Sequence, residues 1–267
     1  MQQQQRNGFD HRFETVMVEL IFGDFTAIDI AMAAFTGLAG GVVVAIAYKM
    51  AERGAPKWKP RKLVHITMGT IIALTVMHYS NLSGPSLAAG VFLTVLLYAW
   101  AHKSDLISEL LLAGSRESDK GLSTFAAGFM GMVSFATVFL LFFQRPEIIV
   151  ASILTVAWGD AAGEVIGRPY GGRVFSARYR GKSLEGSLAV VVFAFLSIST
   201  SLLLYSQDIL LSTVLPQVTL ITLILAVLEL LSVAWTDNLL LPLGTALMMW
   251  QLLFPTTTFW FLGVWTI

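Results

Sequence analysis

Ile148-Ile-Val-Ala-Ser-Ile-Leu-Thr-Val-Ala-Trp-Gly-Asp-Ala-Ala-Gly-Glu-Val-Ile166 decides how this chain folds. As a helix the run is long enough to cross the roughly 30 Å of hydrocarbon in a bilayer. Its only ionisable side chains, Asp160 and Glu164, fall toward one end. Four residues apart, they share a helix face and repel. An ionised carboxylate at the membrane centre costs about 2.5–3.5 kcal/mol on insertion scales. A compensating charge is therefore expected: a hard divalent cation such as Mg²⁺, which prefers carboxylate and phosphate oxygens, or Arg168 one turn beyond Glu164. Gly159, Gly163 and Gly167 make a row of small residues suited to close helix packing.

The rest of the chain extends this reading. Of 267 residues, 56% are hydrophobic and 13% charged, and the mean hydropathy is +0.74, well above soluble domains. The spacing of apolar runs predicts an all-α, polytopic membrane bundle with eight spans, at about 28–48, 63–79, 86–101, 122–143, 148–166, 187–205, 209–231 and 239–255. One transmembrane domain over 28–267 is expected, preceded by a tail over 1–27 in which 13–28 reads as an interfacial helix. The glutamine-rich start lacks the basic and apolar regions of a cleaved signal, so no processing is expected. A net charge of zero argues against nucleic acid as a partner. Without cysteine, disulfides, thiolate metal sites and cysteine nucleophiles are excluded.

Basic residues sort by side. Lys49, Arg53, Lys57, Lys59, Arg61, Lys62, Lys103, Arg116, Lys120, Arg168, Arg173, Arg178, Arg180 and Lys182 occupy the odd-numbered loops, and Arg145 alone occupies the even-numbered ones. The positive-inside rule makes the first set cytoplasmic and puts both termini on the opposite side. Insertion alone accounts for that bias. It does not account for the acidic and polar residues at the same end, because carboxylates contribute little to topology.

The fifth loop, Arg168 to Ser187, gathers Arg178, Arg180 and Lys182 with Gly171, Gly172, Gly181 and Gly186, a composition suited to polyphosphate. Gly181-Lys182-Ser183 resembles the end of a P-loop, but Ser176 stands where its first glycine belongs and no strand is expected before it. A Walker fold is therefore rejected. Ser187 is expected to cap the sixth span. Arg61-Lys62-Leu-Val-His65 opens the second span, and Glu117, Asp119 and Lys120 precede the fourth. Glu229 ends the seventh span and Asp237-Asn238 opens the eighth.

Together these residues resemble the polyprenol kinase family, which includes phytol, farnesol and dolichol kinases and a CTP-dependent diacylglycerol kinase. The resemblance covers about residues 60–245. It rests on Arg61-Lys62-Leu-Val-His65, Lys120-Gly121 with Ser123-Thr124, Gly159-Asp160 with Ile166-Gly167-Arg168, Lys182-Ser183-Leu-Glu-Gly-Ser187, and Glu229 with Asp237-Asn238 and Pro242. Two positions depart from the family's pattern: Thr236 replaces a second acidic residue beside Asp237-Asn238, and Ala162 and Gly163 stand where relatives often carry an aspartate.

The resemblance implies an integral membrane kinase that moves a phosphoryl group from CTP, or UTP, to an isoprenoid alcohol such as phytol, farnesol, geranylgeraniol or a dolichol-like polyprenol. Asp160 and Glu164 are expected to hold Mg²⁺. Lys62, Lys120, Arg168, Arg180, Lys182 and Ser183 are expected on the nucleotide. Asp160 is also expected in catalysis, with Glu229, Asp237 or His65 as general base. Nucleotide would arrive from the cytosol and alcohol from the membrane. A cytidylyltransferase forming a CDP-lipid, and a secondary transporter with Asp160 and Glu229 as ion ligands, are the competing readings.

Overall fold

The structure, a computed structural model, describes residues 22–101, 122–172, 175, 182–232 and 236–257. Among them it is all-helical, with no strand. The helices are α1 (Ala27–Glu52), α2 (Trp58–Thr75), α3 (Ser83–Ala101), α4 (Leu122–Phe142), α5 (Pro146–Leu154), α6 (Ala161–Tyr170), α7 (Leu184–Tyr205), α8 (Leu215–Leu231) and α9 (Asp237–Leu253). A π-helical segment, Thr155–Asp160, runs α5 into α6. Counted as one, α5 and α6 bring the helical segments to eight, each lying over one predicted span. The interfacial helix expected at 13–28 lies mostly outside the described residues.

Three of these helical stretches are long and apolar enough to cross a membrane: Ala27–Glu52, Pro146–Tyr170 and Leu184–Tyr205. Shorter apolar stretches occur at Ser83–Val95, Ala126–Phe142 and Leu215–Leu231. Burial ranks them. The apolar window of Pro146–Tyr170 is 78% buried, against 11% for α1, so the fifth segment is the axis of the bundle and α1 its periphery. Leu38 and Leu203 on the outer faces are 74% and 71% exposed, a surface suited to hydrocarbon rather than water. The core around the axis is built from Ile148, Ile149, Leu154, Ile198, Leu202, Ile221, Leu225, Leu241 and Met249.

Local chemistry sets the helix ends. Pro146 starts α5, where its missing N–H costs nothing. Thr26 and Asp29 form a reciprocal capping box on α1, and Gly54 takes φ 77° in the turn that follows it. Three boundaries depart from expectation. The second helix begins at Trp58 rather than 63, because Pro60 fits its first turn and the charge on Lys62 is neutralised inside the bundle. The seventh expected span starts only at Leu215, beside Pro216, after a 3₁₀ turn at Leu211–Thr213. The cap of α7 is Ser183, whose hydroxyl accepts from Gly186 N at 3.1 Å, and Ser187 lies inside the helix.

Contacts at one end tie the starts of some helices to the ends of others. Asp29, fully buried, accepts from Ser80 N at 2.9 Å and from the Ser80 hydroxyl at 2.6 Å, tying the start of α1 to the segment after α2. Arg145, before α5, lies 3.6 Å from Asp208, donates to Thr257 Oγ1 at 3.0 Å and covers the Phe254 ring. The pairs of Arg61, Lys62, Asp160, Glu164, Arg168, Lys182 and Glu229 lie at the other end.

Candidate functional site

The π segment creates the site. A regular helix spends each carbonyl on the N–H four residues later, whereas a π-bulge disturbs that pattern and leaves carbonyls for other donors. Two carbonyls of this segment turn to α2. The Val156 carbonyl accepts from His65 Nε2 at 2.9 Å, and the Asp160 carbonyl from Lys62 Nζ at 3.4 Å. Since a carbonyl can only accept, Nε2 of His65 carries the proton and Nδ1 is left as an acceptor. Trp158 Nε1 donates to Thr70 Oγ1 at 2.8 Å, a third link to α2.

Around that segment the ionic groups pair closely. Lys62, only 2% exposed, places Nζ 2.5 Å from Asp160 Oδ2 and 3.3 Å from Glu164 Oε2. Arg61 also pairs with Glu164 Oε2. Arg168 reaches Glu164 Oε1 at 2.8 Å from one turn on, as its spacing predicts. His65 Nε2 stands 3.5 Å from Asp160 Oδ2. Two carboxylates thus meet Lys62, Arg61 and Arg168, leaving one positive charge in excess. The charges are compensated, but chiefly by a neighbouring helix rather than by the i,i+4 partner alone.

A second pair lies beside the first. Lys182 Nζ is 2.7 Å from Glu229 Oε1 and 3.2 Å from Ser232 Oγ, and it also donates to the Glu229 carbonyl. Glu229 Oε1 would lie 4.0 Å from a Cβ on Gly163, and Glu229 is within electrostatic reach of Asp160 and Asp237. The glycine row makes this proximity possible. A Cβ on Gly163 would meet Val190 Cγ2 at 2.9 Å, and one on Gly186 would meet the Gly163 carbonyl at 2.7 Å. The row therefore packs α6 against α7, the role its spacing predicts.

No family model, curated protein or solved structure matches the chain. Its functional reading therefore rests on the motifs and on this geometry.

Of the residues singled out from sequence, Lys62, His65, Asp160, Glu164 and Arg168 form one cluster, with Lys182 and Glu229 alongside. Ser183 stands next to Lys182 with its hydroxyl engaged in the cap of α7. Asp237 is buried at the start of α9, where Oδ1 accepts from Asn238 N at 2.8 Å. Asn238 holds α9 to α4 through the Ala127 carbonyl at 3.2 Å. Lys120 and Arg180 lie outside the described residues. Sequence reasoning assigned no role to Arg61 or Ser232. Arg61 adjoins Lys62 in the quoted motif, and Ser232 follows Glu229 by three residues, so position alone pointed to both.

The donor set can be tested against Mg²⁺. Carboxylate oxygens suit the ion, yet no group of three or more His, Cys, Asp or Glu side chains able to hold a metal occurs among the described residues. Asp160 and Glu164 fit the arrangement in which one or two carboxylates share the ion with substrate phosphates, rather than an all-protein cage.

Proposed function

We propose that the chain is an integral membrane kinase transferring a phosphoryl group from CTP or UTP to a membrane-borne isoprenoid alcohol, with release of the lipid monophosphate. One observation carries the reading. Arg61, Lys62 and His65, then Asp160, Glu164 and Arg168, then Lys182, then Glu229 are far apart in sequence and come together at one end of the bundle. All but Glu164 belong to motif pieces on which the family resemblance rests; Lys120-Gly121 of that set lies outside the described residues. In this proposal all eight helical segments of the described residues cross the bilayer, and under the positive-inside rule the site end faces the cytoplasm.

Phosphoryl transfer calls for charge neutralisation and positioning more than covalent chemistry. The excess positive charge of the first cluster is suited to a triphosphate, and Lys182, paired with Glu229, lies at its edge. Asp160 and Glu164 would hold Mg²⁺ carried in with the nucleotide, and the ion would supply charge neutralisation on the phosphates. Lys62 and Arg61 hold those carboxylates in place beforehand. The proton acceptor is assigned to His65, whose Nδ1 is left as an acceptor while Nε2 donates to the Val156 carbonyl.

The test is a matrix of γ-labelled CTP, UTP and ATP against phytol, farnesol, geranylgeraniol, a polyprenol and a diacylglycerol, with purified protein in detergent. Labelled lipid monophosphate with release of nucleoside diphosphate is expected. Release of pyrophosphate would establish the cytidylyltransferase instead, and no labelled lipid from any pair would refute the kinase.

A further inference from the structure

An apolar groove adjoins the ionic cluster and has no part in the chemistry described above. It is lined by Ile66 of α2, Trp158 of the π segment, Ala162, Val165 and Ile166 of α6, and Phe193 of α7. Its cavity volume is about 120 Å³, and it is partly open to the outside. That is smaller than the roughly 300–1,000 Å³ of whole small-molecule sites, room for a few carbons of one chain with the rest lying outside. Ala162 is buried and forms the floor, while the other five are half-buried walls.

Position and chemistry identify the occupant. The lining interleaves with the ionic residues: Ile66 follows His65, Ala162 lies between Asp160 and Glu164, and Val165 follows Glu164. A molecule in the groove therefore lies beside the charged cluster, along the same helices. That cluster has a cation in excess, which complements a phosphate formed there. The groove also belongs to a stretch apolar enough to lie within a bilayer, where a hydrocarbon chain meets it laterally. Trp158 is a fixed wall, its indole held by Thr70, whose own hydroxyl donates to the Ile66 carbonyl at 2.7 Å.

We propose that this groove holds the hydroxyl-proximal segment of a single-chain acceptor alcohol, and that Ala162, Trp158 and Phe193 set which chains are accepted. The assignment deepens the lipid-alcohol reading of the adjoining site and rests on it.

Full-length protein in phosphatidylcholine nanodiscs would be irradiated with farnesol carrying a diazirine, and the adducts mapped by mass spectrometry. Adducts on Ile66, Trp158, Val165 or Phe193 that unlabelled farnesol competes away are expected. Equal labelling of these residues by a diazirine-bearing phosphatidylcholine would mean ordinary boundary lipid and overturn the proposal, as would adducts confined to other helices. In the kinase assay, Ala162→Leu, which adds three carbons to the floor, should raise the alcohol KM at least about tenfold, the low end of the effect of a single methylene in an apolar pocket, with the nucleotide KM unchanged. Phe193→Ala, which removes volume rather than adding it, should widen the range of chains used. Wild-type transfer with an unaltered alcohol KM in both variants would refute the groove alone. Competed labelling of the groove without transfer to any alcohol would refute the kinase reading while the groove stood as a lipid-alcohol site.

Discussion

Replacing Lys62 with methionine should be among the most damaging single changes to this bundle, and the reason can be worked through. Its ammonium is within 2.5 Å of Asp160 and 3.3 Å of Glu164, and the residue is 2% exposed. Glu164 would still be held by Arg61 and Arg168. Asp160 would keep only His65, at 3.5 Å. Breaking a buried pair from one side costs about 3–5 kcal/mol, because it leaves a desolvated charge uncompensated. Asp160→Asn removes that charge, so the double variant should recover part of the loss, with a coupling of about 2–3 kcal/mol, toward the top of the range for contacting residues. Arg168→Ala is the control: with its side chain 54% exposed, its pair with Glu164 should be worth less than about 1 kcal/mol. Unfolding in mixed micelles, followed by tryptophan fluorescence, measures all four proteins. Strictly additive losses from Lys62→Met and Asp160→Asn, or a smaller loss for Lys62→Met than for Arg168→Ala, would refute the reasoning.

Further outcomes follow from the same contacts. Asp160→Asn should lower transfer at least about 100-fold, the scale of removing one group that organises transition-state charge, while the purified variant still elutes as a folded protein in size-exclusion chromatography; near-normal turnover would remove Asp160 from the chemistry. Lys182→Ala should raise the nucleotide KM about tenfold, a loss of about 1.4 kcal/mol, and an unchanged nucleotide KM would count against a role in triphosphate binding. Gly186→Ala would drive a Cβ to 2.7 Å from the Gly163 carbonyl and should destabilise by about 1–3 kcal/mol. Gly41→Ala, which meets nothing within 4 Å, should instead be neutral or stabilise α1 by up to about 1 kcal/mol. Thr26→Ala removes the capping box of α1 at the far end and should cost about 1 kcal/mol of stability without altering kinetics.

Helix positions were legible because apolar runs and their breaks depend on local sequence. The seventh helix, for example, occupies 184–205 where 187–205 was expected. The glycine row was legible as well, because absence of a side chain permits close approach whatever the partner. Partners were a different matter. Lys62 and Asp160 are 98 positions apart, and no spacing rule relates residues at that distance. The same limit hid Asp29 and Glu147. Each reads as an ordinary acid in the first turn of a helix, yet both are buried, and one carboxylate oxygen of Glu147 lacks a hydrogen-bond partner among the described residues. Burial of this kind is set by which helix becomes the axis, and composition does not rank the helices. The exchange of Ser187 for Ser183 as the cap has a smaller cause: both are serines near the first turn, and the choice depends on Ser183 alone adopting extended backbone, at φ −113° and ψ 157°.

The π segment escaped the sequence for a further reason, and it links the ionic cluster to the groove. Nothing in Thr155–Asp160 forbids a regular helix, and its cost is met from α2. His65, Lys62 and Thr70 supply the donors or acceptor that receive the Val156 carbonyl, the Asp160 carbonyl and the Trp158 indole. Were the turn regular, the Val156 carbonyl would be spent within the helix and half-buried His65 would lose its acceptor, at about 1–3 kcal/mol, while Lys62 would keep the Asp160 and Glu164 carboxylates. The widened turn thus persists because α2 rewards it. It also fixes three strips of one segment at once: Asp160 and Glu164 toward the cations of α2, Gly159, Gly163 and Gly167 against α7, and Trp158 with Ala162 along the groove. Charge, close packing and an apolar wall are thereby set side by side over a few residues, the arrangement that the proposed lipid alcohol would require.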